Sequence, residues 1–197
     1  MGRVLIETLM ERNYSVVTLV RDPNKLPFTH KNLKIIRGSV IETKDLSNAL
    51  SGIDIVVSAL GHGFRTKFPI QEASLTRLFP LMVKNKIKRF ITVTGAGLKV
   101  KDDPHSLIAD VSEKVFTIVD PYRISDAKKQ QLLLEESQLN WTVLRTPIHN
   151  KNSHGEVSHV GFSQPPPWKT ISRVAISKFI IECIEKNQYV KKAPIIW

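Results

Sequence analysis

Cysteine is almost missing: Cys183 is the one thiol in 197 residues, so no disulfide can form within the chain, which suits a reducing, cytoplasmic setting. Set among Val174, Ile176, Phe179 and Ile180, it reads as a small buried hydrophobe. Long apolar runs are missing too. None reaches the roughly 18 residues that a membrane-spanning helix needs, although 42% of the residues are hydrophobic, an ordinary share for a chain with a core. Repeats and low-complexity tracts are absent. The first residues carry Glu7 and Glu11 and no small-residue cleavage site, which reads as helix rather than signal peptide. Ile6 breaks the myristoylation pattern that Met1-Gly2 would begin. Metal-ligand spacing is also lacking. His154 and His159 have no cysteine or carboxylate partner at zinc-site spacing, so no metal is expected.

Acidic residues are scarce, 18 against 29 Lys and Arg, and the formal net charge is +11. Such a balance invites nucleic acid, an anionic membrane or an anionic small ligand. The basic residues are scattered, with no dense tail and no aromatic-interleaved stripe, which weighs against nucleic acid. A pyrophosphate-bearing cofactor and a small-molecule substrate fit the diffuse positive field better.

The chain present is long enough for one sizeable core and is read as a single domain over residues 1–197. Val16, Val17, Leu19 and Val20 form an apolar block of the kind found in parallel strands covered on both faces. Similar buried strands are predicted at 53–60, 89–93 and 141–145, with a shorter one at 33–37. Helical spacing is read over 2–12, over 43–50 with Thr43 as cap and Gly52 as stop, and over 70–86, where Pro80 should bend or break it. Residues 99–122 read as an irregular crossing with a short helix near 106–115. A helix over 125–137 follows, with Asp126 as its cap, and Ser172 caps a final helix. Residues 193–196 read as an edge strand, and 150–167 as a loop over the active edge. Strands alternating with helices imply βαβ units and a parallel sheet with right-handed crossovers.

Ligands of open α/β sheets bind at the carboxyl ends of the strands. Arg21 follows the second-strand-like block, where such folds receive the 2′-phosphate of NADP. Gly61-His62-Gly63 follows the strand at 53–60, and two glycines there let a ligand approach the backbone closely. His62 is placed to touch substrate as an acid/base group, and Thr94 to donate a hydrogen bond to nicotinamide or substrate. Phe162 and Trp168 are candidates for an apolar lid.

Four segments in order, 13–23, 54–61, 132–145 and 170–175, resemble the atypical short-chain dehydrogenase group, which includes the NmrA-like and the biliverdin reductase B (flavin reductase) proteins. The resemblance covers nearly the whole chain. It implies an α/β, doubly wound, parallel-sheet Rossmann fold and a cofactor, NADP(H) or NAD(H), laid along the carboxyl edge. It places Gly2 and Arg3 at the pyrophosphate end, Arg21 on the 2′-phosphate and Ser39 and Val40 beside adenine. Ala59, Leu60 and Gly61 come under the ribose, and Thr94, Gly95 and Pro147 near nicotinamide. The implied activity is hydride transfer to a planar acceptor such as a flavin or bilin, by a monomer or weak dimer; the alternative is an NmrA-like redox sensor without turnover.

Two departures follow. Gly2 matches the last glycine of the family's phosphate loop, and the first strand with the rest of that loop would precede it. The missing strand would lie between the strands at 15–20 and 53–60, so its absence exposes two edges or forces those strands to pair. Dinucleotide affinity should then fall, since backbone amides and the helix N-terminus supply much of the pyrophosphate contact. The second departure concerns the proton donor. Tyr122 has Asp126 where the Tyr-x-x-x-Lys pair needs lysine, and Ala127 and Gly95 stand where the bilin and flavin reductases carry His and Ser. Activity would then rest on alignment of hydride donor and acceptor.

Overall fold

The computed structural model describes residues 1–61, 66–101, 103–104, 107–152 and 154–197, with the side chains of 107–109, 112 and 116 left aside. The chain opens with helix α1 (Gly2–Glu11), which turns back at Asn13 (φ 61), a residue type that tolerates the left-handed region. Strand β1 (Val16–Val20) pairs in parallel with β2 (Leu33–Arg37). Between them Asp22 caps a 3₁₀ turn that begins at Pro23, as its sequence suggests. Helix α2 (Thr43–Ala49) leads through Gly52 (φ 73) to β3 (Ile55–Ser58). Next come α3 (Ile70–Lys84), β4 (Arg89–Gly95), α4 (Leu107–Val119), α5 (Pro121–Glu136) and β5 (Asn140–Thr146). Short strands β6 (Ile148–Asn150), β7 (Val160–Gly161) and β8 (Thr170–Ser172) precede α6 (Arg173–Glu185) and β9 (Ile195–Ile196).

The main sheet runs β3-β4-β5-β9-β7, parallel except for β7 against β9. Its strands alternate between two cores. Phe90, Trp141 and Val143 face α2, α3 and α5, while Ile91 and Leu144 face α1 and α6. That two-sided burial explains the near-continuous apolar runs. No described helix is long and apolar enough to cross a membrane.

The sheet is split where the family resemblance leaves a strand out. Among the described residues no ladder joins β1 to β3, although Leu19 of β1 and Val56 of β3 pack on the same core. Among the described residues these two edges do not close on each other. Exchange of backbone amides should show the consequence: the peptide carrying β1 is expected to exchange much faster than those carrying β4 and β5, whose ladders are built on more than one side. Equal protection in a hydrogen-exchange experiment would contradict an open β1 edge.

Several local expectations need correction. Glu42, without a side-chain cap bond, precedes α2, and Thr43 is its first helical residue. Helix α3 continues through Pro80 to Lys84. The crossing at 99–122 holds a 13-residue helix, α4. β9 lies inside the sheet between β5 and β7 rather than at its edge. Asp126 sits inside α5 and caps a different helix: its carboxylate accepts from the N–H groups of Gln71 and Glu72, both at 2.9 Å, at the start of α3. Asp120 caps α5 instead, with Pro121 in the first turn. Asp126→Ala is therefore expected to cost about 1–2 kcal/mol through α3. A thermal melt indistinguishable from the parent would show that the α3 cap is not needed.

Candidate site at the carboxyl edge

Strands β3, β4 and β5 are parallel, with Ser58 opposite Thr92 and Gly95 opposite Thr146, so their carboxyl ends form one edge. β1 joins that edge through α1. Helix α1 starts beside the end of β3, where a Cβ on Gly2 would lie 3.5 Å from that of Ala59, and the turn after Glu11 sends β1 back the way α1 came. Arg21, exposed just past β1, thus shares an edge with Ala59, Leu60 and Gly61, and with Thr94, Gly95 and Pro147.

Each position has its own surroundings. Val20 is opposite Arg37, and the N–H of Gly38 donates to Val20 O at 2.9 Å, which holds Ser39 and Val40 beside the end of β1. The Ser39 N–H donates to Asp45 Oδ2 at 2.8 Å, and a Cβ on Gly38 would come within 2.7 Å of the same carboxylate, so a side chain there would have to displace Asp45 from Ser39. Above Gly61 a Cβ would meet none of the described residues within 4 Å, which leaves room among them for a ligand to lie on the backbone. Arg3 donates its Nε to Glu7 Oε1 at 3.1 Å on the exposed side of α1. Thr94 is half-buried and its carbonyl accepts from Thr146 Oγ1 at 3.2 Å. His62 lies outside the described residues. Among those described, no cluster of His, Cys, Asp or Glu could hold a metal ion. Cys183 is buried, and burial first of all pushes its thiol up to about 12.

Three further residues converge here that sequence reasoning did not single out. Arg123, in the first turn of α5, has a guanidinium nitrogen 4.0 Å from where Gly95 would carry a Cβ. Arg173 opens α6, directly after the capping Ser172. His149 Nε2 lies 2.8 Å from Thr146 Oγ1. Burial, then the Met1 amine, Arg173 and Arg123, hold the His149 imidazole below its ordinary value, and burial followed by Arg173 does the same to that amine. Arg173 Nε is buried with no acceptor among the described residues. A guanidinium donor left without a partner among like charges is costly unless an anion arrives. The chemistry of this set therefore fits a phosphate group.

Because the folded pKa of His149 is lowered, the unfolded chain takes up its proton first on acidification. The stability tied to His149 is present in full above about pH 6.5 and is lost as pH falls through the lowered folded value. An anion bound among these cations would favour the imidazolium. NADP is accordingly expected to raise the His149 pKa in an NMR titration, and an unmoved pKa would separate the anion from this cluster.

No curated protein matches the sequence. Among solved structures, a short-chain dehydrogenase/reductase from Veillonella parvula in complex with NADP superposes with a TM-score of 0.80 at 16% identity, over 99% of this chain and 88% of that one. An oxidoreductase from Lactococcus lactis gives 0.74 at 17% identity over 99% and 84%. A Rossmann-fold NAD(P)-binding family protein from Shigella flexneri gives 0.70 at 20% identity over 100% and 87%. These likenesses establish the fold. The family model described as NAD(P)H-binding matches residues 1–187, and with the strand ends gathered on one edge as that fold requires, the chain belongs to the NAD(P)H-binding family.

Proposed function

We propose that the chain is an NAD(P)H-dependent reductase that passes hydride to a planar acceptor such as a flavin or bilin. The observation that carries this reading is the buried Arg173 Nε, without an acceptor among the described residues, beside Arg123 and His149 at the carboxyl edge. In this reading Arg173 and Arg123 take the pyrophosphate, supplementing the start of α1 at Gly2 and Arg3. Arg21 takes the 2′-phosphate, which favours NADP(H), and Ser39 with Val40 borders adenine. Ala59, Leu60 and Gly61 lie under the ribose, and Thr94, Gly95 and Pro147 border the nicotinamide.

Reduced nicotinamide held there supplies the hydride. The chain's residues bind and orient. No Tyr-Lys pair is present, since Tyr122 is followed four residues later by Asp126, which is committed to α3. Thr94 supplies a hydroxyl at the strand end, and His62 is proposed as a substrate contact. Ile148 and Trp168 are 77% and 78% exposed, and β6 pairs with β8 so that Ile148 stands opposite Thr170, two residues from Trp168. Such an apolar lip beside Pro147 suits a flat ring better than a small polar substrate. Effective molarity from alignment then does most of the catalysis.

Steady-state NADPH oxidation with FMN or a bilin tests this. Turnover that saturates in both substrates supports it. Saturable NADPH binding without turnover of either acceptor would instead favour a dinucleotide-sensing protein, and failure to bind NADPH or NADH would overturn both.

A further inference from the structure

A second concavity lies away from the carboxyl edge. It has a volume of about 520 Å³, within the roughly 300–1,000 Å³ range of small-molecule sites. Phe162 and the rim of the otherwise buried Trp141 give it aromatic surface, and Lys101, Lys191 and Lys192 surround it with positive charge against Glu135, the one carboxylate among its described lining residues. Trp141 stands five residues before Thr146 on β5, which puts this wall about 16 Å down the strand from the candidate cofactor edge.

The lysines are held in place by strained backbone. Tyr189 and Lys191 have φ of 55° and 56°, in the left-handed region that non-glycine residues occupy at a cost. Their turn is pinned from three sides. The Lys191 N–H donates to Trp141 O at 2.7 Å, Thr142 Oγ1 donates to Tyr189 O at 2.7 Å, and Arg89 Nη2 donates to Gln188 O at 3.0 Å. Gln131 adds an acceptor. Its Nε2 donates to Glu135 Oε1 at 2.7 Å, and among the described residues its buried Oε1 has no donor. Presenting that oxygen to a ligand takes a turn of the broad terminal torsion that gives up the bond to Glu135.

We propose that this pocket is a second ligand site, for a planar aromatic ring that carries an N–H donor and an anionic group. The ring lies against Trp141 and Phe162, the anion meets Lys191 and Lys192, and the N–H meets Gln131 Oε1. Stacking and charge pairing of this kind are individually modest, so both parts of the ligand are needed.

Isothermal titration of the full chain with inosine 5′-monophosphate tests the proposal, since its base has a ring N–H and it carries a phosphate. It is expected to bind saturably. Inosine, inorganic phosphate and the N1-methylated nucleotide are each expected to bind at least roughly tenfold more weakly. The variant Lys191→Gly/Lys192→Ala should lose the same factor while still folding, because glycine takes φ 56° without strain. Its unchanged NADPH binding would report the intact fold. Arg21→Ala should leave inosine monophosphate binding as it is. No saturable binding, or binding lost in Arg21→Ala and kept in the lysine variant, would overturn the proposal; equal binding of the N1-methylated nucleotide would overturn the role of Gln131.

Discussion

Replacing Asp103 with alanine is expected to destabilise the fold by about 3–5 kcal/mol. Arg145 is fully buried within β5, and both its terminal nitrogens meet the Asp103 carboxylate, itself almost wholly buried. Its Nε donates to Ala193 O at 2.7 Å, and Nη1 also donates to Leu98 O at 2.9 Å. One guanidinium thus ties the segment after β4 to β5 and to the approach to β9. Removing the carboxylate leaves that cation buried and uncompensated, which costs more than the pair contributes. The melting temperature should fall by on the order of 10 °C. Removing both partners, as Asp103→Leu with Arg145→Met, should recover most of the loss, because an apolar pair of similar volume avoids the desolvation penalty. A double variant as unstable as the single one would show that the bonds to Leu98 and Ala193, rather than the charge pair, hold the segment.

The second large effect concerns cofactor choice. Arg21→Ala is expected to weaken NADPH binding by roughly 10- to 100-fold and leave NADH nearly untouched, the loss of a charge-assisted contact to one phosphate. Arg173→Ala should weaken both, since the pyrophosphate is common to the two. Titrations of both nucleotides against both variants separate the roles. Parallel losses in Arg21→Ala would move Arg21 off the 2′-phosphate.

The architecture was legible because parallel strands covered on both faces write themselves as unbroken apolar blocks: Val16–Val20 of β1 and Asn140–Thr146 of β5 fall within a residue or two of where their composition puts them. The caps were less legible. A carboxylate near a helix start reads as that helix's own cap, but the Asp126 carboxylate reaches across to α3, a tertiary contact that local spacing does not encode. Helix α4 was hidden by valines and isoleucine that stay exposed, Val111, Val115 and Ile118, which blur the usual contrast between faces. β9 looked like an edge because it is two residues long and terminal, and only the return of β7 buries it.

At the candidate site, Arg21 and the glycines could be found because they end strands. Arg123 and Arg173 could not, since they begin helices and resemble any solvated charge at a helix start. One signal was present: Arg173 directly follows a capping serine at the head of a long amphipathic helix, on a chain already strongly basic. Gly38 was not singled out from the sequence; the Asp45 side chain packed against it is what leaves no room for a Cβ unless Asp45 moves.

The most direct test is a structure of the chain with NADP bound. The expected result has the dinucleotide along the carboxyl edge, its 2′-phosphate hydrogen-bonded to Arg21 and its pyrophosphate reached by Arg173. A cofactor seated elsewhere, or an Arg173 Nε still without an acceptor when NADP is in place, would contradict the reading of this edge.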